Sequence, residues 1–157
     1  LIEAGVHFVT VRLRPAEFDF DTHLDNFSKL SALLPPFDKG LASLIDRLKE
    51  RGLFRSTAIM VAGEFGRTPK VNGQGGRDHW ARAMFALMAG GDVQGGQTIG
   101  ETDKHAGEPV GQGYSPEDLA ASFFQNIGID PQTEFHSNVG RPINLVRDGK
   151  PISQLFS

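Results

Sequence analysis

Along this chain of 157 residues, continuous apolar runs alternate with segments in which apolar residues recur every three or four positions, as they do on one face of a helix. Three runs are rich in residues that favour strands, and they predict buried strands at residues 6–13, 56–62 and 83–89. Residues 97–100 are a candidate for a short fourth strand. A polar loop, RPAEFDFDTHLDN, follows the first strand, and a glycine-rich polar loop follows the second.

Apolar residues spaced three and four positions apart predict helices. The clearest helix runs from about residue 37 to residue 51, because four of its apolar residues share one face. Gly52 stands where a glycine commonly ends a helix. A separate helix is expected near residues 26–34, since Pro35 and Pro36 lack N–H groups and clash with the preceding turn. The four apolar residues are Leu41, Leu44, Ile45 and Leu48.

A third helix is predicted to begin after Ser115, which is a favourable N-cap residue followed by a proline and two acidic residues. Gly128 is expected to end this helix. Strands that alternate with helices are typical of α/β proteins, so we expect a sandwich with a mostly parallel sheet. Ligand sites of such sheets lie beyond the carboxyl ends of the strands.

Composition excludes several classes of function. The chain has no cysteine, which excludes disulfides and thiolate metal sites. Its net charge of −3 argues against nucleic acid or an anionic membrane as a partner. No apolar run approaches the roughly 20 residues of a membrane span. Because the chain enters an apolar segment at once, without a methionine or a signal sequence, we expect residues 1–157 to be the C-terminal part of one larger domain.

Residue types that bind metals collect in three loops near the predicted strand ends. Carboxylate oxygen together with imidazole nitrogen suits zinc, manganese or iron better than magnesium or calcium. Arg67 and Arg77 lie in the second and third of these loops. The potential ligands are Asp19, Asp21, His23 and Asp25 in the first loop, Glu64 in the second, and Asp78 and His79 in the third.

Each of these groups has a structural alternative. Asp21 could cap the helix that follows it. Glu64 could form a surface ion pair with Arg67. Arg77 could pair with Asp78 in the same way. The GQGG stretch between these loops lacks the lysine and the helix start of a phosphate-binding loop, so we interpret it as letting the chain fold close to the site.

The five histidines are not equivalent. His7 lies within a predicted strand and is interpreted as structural, whereas His105 and His136 lie in polar loops and are interpreted as solvated. His79 could be a packed, half-buried histidine beside the single tryptophan. In a metal site, Asp78 could instead orient the ring of His79 through its second ring nitrogen. The collection of ligand types at one predicted sheet edge supports a metal site, and on the residues alone the structural alternatives stay open.

The segment GEFGRTPKVNGQGGRDHW at residues 63–80, with FDTH before it and NIGID after it, resembles the bacterial family catalogued as domain of unknown function 1501. The resemblance extends from LIEAGVHFVTV to GKPISQLF, and the combination of EFGRTP with GRDHW is specific. By resemblance, the family belongs to the alkaline phosphatase-like superfamily of phosphatases, sulfatases and phosphomutases. This implies a three-layer α/β sandwich, a small-molecule or polymeric phosphate or sulfate ester as substrate, and a periplasmic or secreted location. A guanidinium would bind the tetrahedral phosphate or sulfate group in a bidentate manner, so the resemblance makes Arg67 and Arg77 the candidate catalytic residues.

The resemblance also implies a ligand set for a divalent metal, zinc or manganese. In the superfamily one ion is bound by an Asp–His pair on one loop and by a later histidine. Asp21, His23 and His79 match these three ligands. Asp19 is the alternative aspartate, because it restores the wider Asp-x-x-x-His spacing that is common elsewhere.

The second metal site of the superfamily is only partly matched. Glu64 can stand for its aspartate, but Phe65 replaces its histidine. The remaining aspartate and the Ser or Thr nucleophile are expected upstream. One expected function is therefore a metal-dependent hydrolase of phosphate or sulfate esters. The alternative is a non-catalytic binding or scaffold protein that keeps a degraded site.

Overall fold

The computed structural model describes residues 1–13, 19–111 and 113–157. Residues 14–18, which belong to the predicted first polar loop, lie outside these ranges. Within them, no helix is both long enough and apolar enough to cross a membrane.

The first helix, α1 at Asn26–Glu50, is continuous, so the predicted division into two helices is wrong. Pro35 and Pro36 lie inside it, where each removes one N–H group from the helical ladder. Because the prolines are adjacent, this loss is confined to about one turn. Leu33 before them and Leu48 after them are both buried, so packing holds the helix on either side of the two prolines.

The second helix, α2 at Pro116–Asn126, begins as the sequence predicts. Ser115 Oγ accepts a hydrogen bond from the backbone N–H of Asp118 at 3.1 Å, and the Asp118 carboxylate accepts one from the Ser115 N–H at 2.9 Å. This reciprocal capping box satisfies two N–H groups at the start of the helix. The glycines predicted to follow the helices have the left-handed backbone that such ends need, with φ of 69° at Gly52 and 77° at Gly128.

The described residues contain six short strands in three antiparallel pairs. The strands are β1 at Ile59–Ala62, β2 at Gly66–Arg67, β3 at His79–Trp80, β4 at Ala86–Ala89, β5 at Glu134–His136 and β6 at Pro142–Asn144. β1 pairs with β4, β2 with β3, and β5 with β6. The expected three-layer α/β sandwich with a mostly parallel sheet is therefore wrong, since no two of the described strands pair in parallel.

The connection between β1 and β4 explains the antiparallel arrangement. It contains no helix, and a helix is the usual crossover connection that would let the next strand run parallel to β1. Residues 63–85 instead turn back on themselves, and β2 and β3 pair within them. β4 returns directly beside β1, with Ile59 opposite Ala89 and Ala62 opposite Ala86. This long hairpin positions the candidate site.

Two of the predicted strands are present in shortened form as β1 and β4. Residues 6–13 and 97–100, which were also predicted to be strands, form none. The first of these segments is apolar, yet its residues are exposed and no described residue pairs with it. A strand needs a hydrogen-bonded neighbour, which apolar composition alone does not supply.

The buried apolar side chains come from both helices and from the C-terminal segment. They are Leu33, Leu48, Ala121, Val146 and Ile152. Ser122 of α2 is fully buried, and its hydroxyl donates to the Asp118 carbonyl at 2.7 Å and accepts from the N–H of Ile152 at 2.8 Å. These bonds attach the C-terminal segment to α2.

Candidate metal centre

The first ligand segment is anchored by a buried threonine directly before α1. Thr22 is 1% exposed, and its hydroxyl donates a 2.6 Å hydrogen bond to Oδ1 of Asn26, the first residue of α1. Asp21 and His23 flank this anchor, and their side chains are 50% and 42% exposed. Thr22 therefore fixes the backbone of the Asp–His pair and leaves both side chains accessible.

The loop that leads to the third ligand lies against this segment. The backbone N–H of Arg77 donates to the carbonyl of Thr22 at 3.0 Å. Gly76 is buried at the same contact, and a Cβ atom on it would lie 1.9 Å from the carbonyl oxygen of His23. Only a glycine permits this approach of the two backbones. The glycine-rich stretch thus brings the DHW segment against the DTH segment.

Three potential ligand atoms meet at this contact. Oδ1 of Asp21 lies 3.1 Å from Nε2 of His23 and 3.0 Å from Nε2 of His79, and the two Nε2 atoms are 3.1 Å apart. Among the described residues, these three form the group whose ligand atoms converge. A tetrahedral ion with bonds of about 2.0–2.1 Å separates its ligand atoms by about 3.3 Å, so a small outward shift makes the triangle fit one ion.

The donor set also suits a transition metal. One carboxylate oxygen and two imidazole nitrogens match the preferences of zinc, and they leave a further coordination position for solvent or substrate. The side chain of His79, like those of its two neighbours in the cluster, is about half exposed, at 51%. The cluster is therefore open to a ligand from solution.

Arg67 stabilises the ionised form of Asp21. Its Nη2 pairs with Oδ1 of Asp21, and its Nη1 donates to the carbonyl of Arg77 at 3.1 Å. The hydrogen bonds from Arg67 and from His79 lower the pKa of Asp21 to about 2. The Asp21 carboxylate therefore stays ionised at a pH lower than an ordinary aspartate would.

The two candidate catalytic arginines occupy different places. Nη1 of Arg77 donates to the backbone carbonyls of Thr68 at 2.7 Å and Pro69 at 2.6 Å. The Arg77 guanidinium also lies 5.8 Å from the ring centroid of Phe27 in α1. Arg77 thus ties the glycine-rich loop to α1, and Arg67 is the arginine that reaches the ligand cluster.

Asp78 hydrogen-bonds to His23 and not to His79, the partner that the sequence suggested. Oδ1 of Asp78 lies 2.8 Å from Nδ1 of His23. This bond and a second one from Asn72 lower the pKa of Asp78. Sequence reasoning missed Asn72; its only signal is the Asn-Gly dipeptide at residues 72–73, which is typical of a turn.

The model of a family described as "Protein of unknown function (DUF1501)" matches residues 1–156. The chain belongs to this family. The match confirms the family resemblance carried by the EFGRTP and GRDHW motifs. No curated protein and no solved structure was found to match the chain.

Two of the residues proposed as ligands in this DUF1501 chain lie outside the cluster. Glu64 is exposed and is not among the converging residues, and the same holds for Asp19. The ring of Phe65, which follows Glu64, lies with its centroid 4.3 Å from that of the His79 ring. An aromatic side chain therefore packs against His79, and this contact restricts rotation of the imidazole.

A groove of about 560 Å³ borders the cluster of this DUF1501 chain. Asp78, the hydrogen-bond partner of His23, lines it together with Val71 and the indole of Trp80. Lys70 adds a positive charge to the lining. Asp21, His23 and His79 are not among its lining residues, so the groove meets the cluster only through Asp78.

Proposed function

We propose that this protein is a metal-dependent hydrolase of phosphate or sulfate esters, and that Asp21, His23 and His79 hold one zinc or manganese ion. The observation that carries the proposal is the convergence of one carboxylate oxygen and two imidazole nitrogens within 3.0–3.1 Å of one another. These atoms come from two segments joined by direct backbone hydrogen bonds. The arrangement is therefore built by the fold and does not depend on a chance meeting of surface side chains.

The proposed chemistry fits the residues around the cluster. A divalent ion in this position would neutralise charge on the ester oxygens and lower the pKa of a bound water. Arg67 lies beside Asp21, so its guanidinium is placed to donate hydrogen bonds to a tetrahedral anion at the same point. We assign the alcohol portion of the ester to the groove lined by Asp78 and Trp80, which precede and follow His79 in the chain.

We extend the proposal to a relationship with the alkaline phosphatase-like superfamily, on the basis of the ligand residues. The pattern of an Asp–His pair followed by a distant histidine before a strand is the feature that supports it. Glu64 lies outside the cluster, so it is not a ligand of the proposed ion.

A second candidate function is a non-catalytic binding or scaffold protein. The specific observation in its favour is Phe65, whose ring packs on His79 at 4.3 Å between centroids. A phenyl ring cannot bind a metal, and the superfamily places an imidazole of its second metal site at this position. A protein with one bound ion and no turnover fits this arrangement.

The test uses the complete gene product, dialysed against a chelator and then loaded with zinc or manganese. Bound metal is measured by elemental analysis, and turnover is measured with 4-nitrophenyl phosphate and 4-nitrophenyl sulfate. Metal-dependent turnover that His79→Ala abolishes supports the hydrolase. Stoichiometric metal without turnover supports the second candidate, and a protein that binds neither ion overturns the metal-dependent hydrolase.

A further inference from the structure

We propose that Asn72 and Asp78 are positioning residues that hold the His23 imidazole in a single tautomer, with Nε2 free to bind the metal. This inference rests on the proposed metal site. It assigns to the glycine-rich loop a role in metal affinity in addition to its role in chain folding.

The Asp78 carboxylate is hydrogen-bonded to the imidazole of His23. Oδ1 of Asp78 lies 2.8 Å from Nδ1 of His23, and an ionised carboxylate only accepts hydrogen bonds. Nδ1 therefore carries the hydrogen, and in a neutral imidazole Nε2 is then the atom with the lone pair. Nε2 is also the atom that lies 3.1 Å from Oδ1 of Asp21. Asp78 thus directs the metal-binding nitrogen of His23 toward the cluster.

The amide nitrogen of Asn72 lies within hydrogen-bond distance of three acceptors. Nδ2 lies 3.2 and 3.3 Å from the two carboxylate oxygens of Asp78, and 3.0 Å from the backbone carbonyl oxygen of His23. One side chain therefore contacts both members of the Asp78–His23 pair. It fixes the carboxylate relative to the backbone of the residue that the carboxylate orients.

The orientation of the Asn72 amide is determined by its surroundings. Its Oδ1 accepts from the backbone N–H groups of Gln74 at 2.9 Å and Gly76 at 3.0 Å. Rotation of the amide by half a turn would place oxygen against three acceptors and nitrogen against two donors. Asn72 is thus held by its own turn, and aspartate, which has no N–H donor, cannot replace it.

Asp78 is held from its backbone as well. Its N–H donates to the hydroxyl of Thr68 at 3.1 Å, and its carbonyl accepts from the Thr68 N–H at 2.9 Å. The carboxylate, the amide and the imidazole therefore form a rigid chain of groups, Asn72–Asp78–His23. Partners of this kind typically change metal affinity by about 10–100-fold when they are removed.

The test compares Asn72→Ala and Asp78→Ala with Asp103→Asn. Asp103 is the matched control, because its carboxylate also caps a loop, at 2.9 Å from the N–H groups of His105 and Gly107, but takes no part in the cluster. Zinc affinity is measured by chelator competition. We expect it to fall about 10–100-fold in both alanine variants and to stay within about twofold of wild type in the control.

A second readout separates positioning from a general loss of structure. Long-range proton–nitrogen NMR spectra of the metal-free protein report the tautomer of each histidine. We expect His23 to carry its proton on Nδ1 in the wild type and to become a mixture of tautomers in Asp78→Ala. If Asp78→Ala lowers the melting temperature, the near-isosteric variant Asp78→Asn, which lacks the charge, replaces it. We expect Asp78→Asn to shift the His23 tautomers in the same direction as Asp78→Ala.

The outcomes distinguish failure of this inference from failure of the proposed function. If wild-type protein binds zinc through His23 and all three site variants bind it equally tightly, the positioning role is wrong and the metal site stands. If His23→Ala leaves zinc binding unchanged, the metal site is wrong, and the positioning role toward the metal fails with it. An Nε2-protonated His23 in the wild type also overturns the inference.

Discussion

Nε2 of His79 lies 3.0 Å from Oδ1 of Asp21, although the two residues are 58 positions apart in the chain. The closure of such a long loop costs conformational entropy, which other contacts must offset. The backbone hydrogen bond from Arg77 to Thr22 and the close approach of Gly76 to His23 supply those contacts next to the cluster. The meeting of the two ligand segments is therefore part of the folded backbone.

This geometry predicts that His23→Ala and His79→Ala each abolish most metal binding. Each variant removes one of the three ligand atoms, and the two atoms that remain bind a transition metal weakly. The zinc content, measured by elemental analysis after gel filtration, should fall from about one ion per chain to near zero. His105→Ala is the control, since this histidine is exposed and stands outside the cluster. Wild-type zinc content in both site variants would refute the ligand assignment.

Gly76 predicts a steric test of the same site. A Cβ atom at Gly76 would lie 1.9 Å from the His23 carbonyl oxygen, so Gly76→Ala must push the two ligand segments apart. We expect the free energy of unfolding to fall by about 1–3 kcal/mol and zinc affinity to fall with it. Urea unfolding measures the free energy of unfolding. Zinc titration followed by the fluorescence of Trp80, the single tryptophan, measures zinc affinity.

Gly73→Ala is the matched control for Gly76→Ala. It adds the same methyl group three residues earlier in the same loop, where no atom lies within 4 Å of the added Cβ. We expect a change of less than about 0.5 kcal/mol in the free energy of unfolding and unchanged zinc affinity. Equal effects of the two substitutions would show that the contact between Gly76 and His23 is unimportant.

Substitution of Arg67 and of Arg77 by glutamine should affect different properties: the ligand cluster in the first case and thermal stability in the second. Arg67 pairs with the Asp21 carboxylate, so Arg67→Gln should raise the pKa of Asp21 from about 2 toward its ordinary value of 3.8 and weaken binding of inorganic phosphate to the metal-loaded protein. Arg77 binds the carbonyls of Thr68 and Pro69, so Arg77→Gln should lower the melting temperature. NMR titration of the metal-free protein, calorimetric phosphate titration and thermal unfolding separate the two roles. Weaker phosphate binding in Arg77→Gln at unchanged stability would reverse the assignment.

The sequence predicted local features of this chain well. The start of α2 depends on Ser115 and Asp118, which are three residues apart, and the ends marked by Gly52 and Gly128 depend on one residue each. Such features are decided by neighbouring atoms, which the sequence lists in order. The identity of potential ligands is equally local, because only a few side chains carry metal-binding atoms.

The long-range features were predicted poorly, for physical reasons. Apolar composition marks a strand but not its partner, so the antiparallel pairing of β1 with β4 was not evident. Asp78 was paired with its sequence neighbour His79, yet successive side chains of an extended segment point to opposite faces. The Asp78 carboxylate consequently reaches across the contact to His23, 55 residues away in the chain.

Asp118 predicts a pH dependence of stability that is independent of the metal site. Its carboxylate accepts hydrogen bonds from the backbone N–H groups of Lys150 at 2.8 Å and Ser115 at 2.9 Å, and these bonds lower its pKa below the ordinary value of 3.8. Because the folded-state pKa is the lower one, the stabilisation is fully present above about pH 4 and is lost as the pH falls through the folded-state pKa. Asp118→Asn should therefore cost about 1 kcal/mol at pH 7 and progressively less on acidification.

Urea unfolding of the wild type and Asp118→Asn at pH 7, 5 and 3 checks this expectation. Glu117→Gln is the matched control, since Glu117 carries the same charge in the same first turn of α2 but makes neither of the two hydrogen bonds. The control should differ little from the wild type at all three pH values, because a solvated acidic side chain in the first turn contributes only a few tenths of a kcal/mol through the helix dipole. A gap between the wild type and Asp118→Asn that stays constant from pH 7 to pH 3 would mean that the hydrogen bonds to Ser115 and Lys150 do not depend on the charge of Asp118. The capping box would then stabilise α2 equally well with an uncharged side chain at position 118. Any loss of stability of the chain in acid would have to come from another carboxylate.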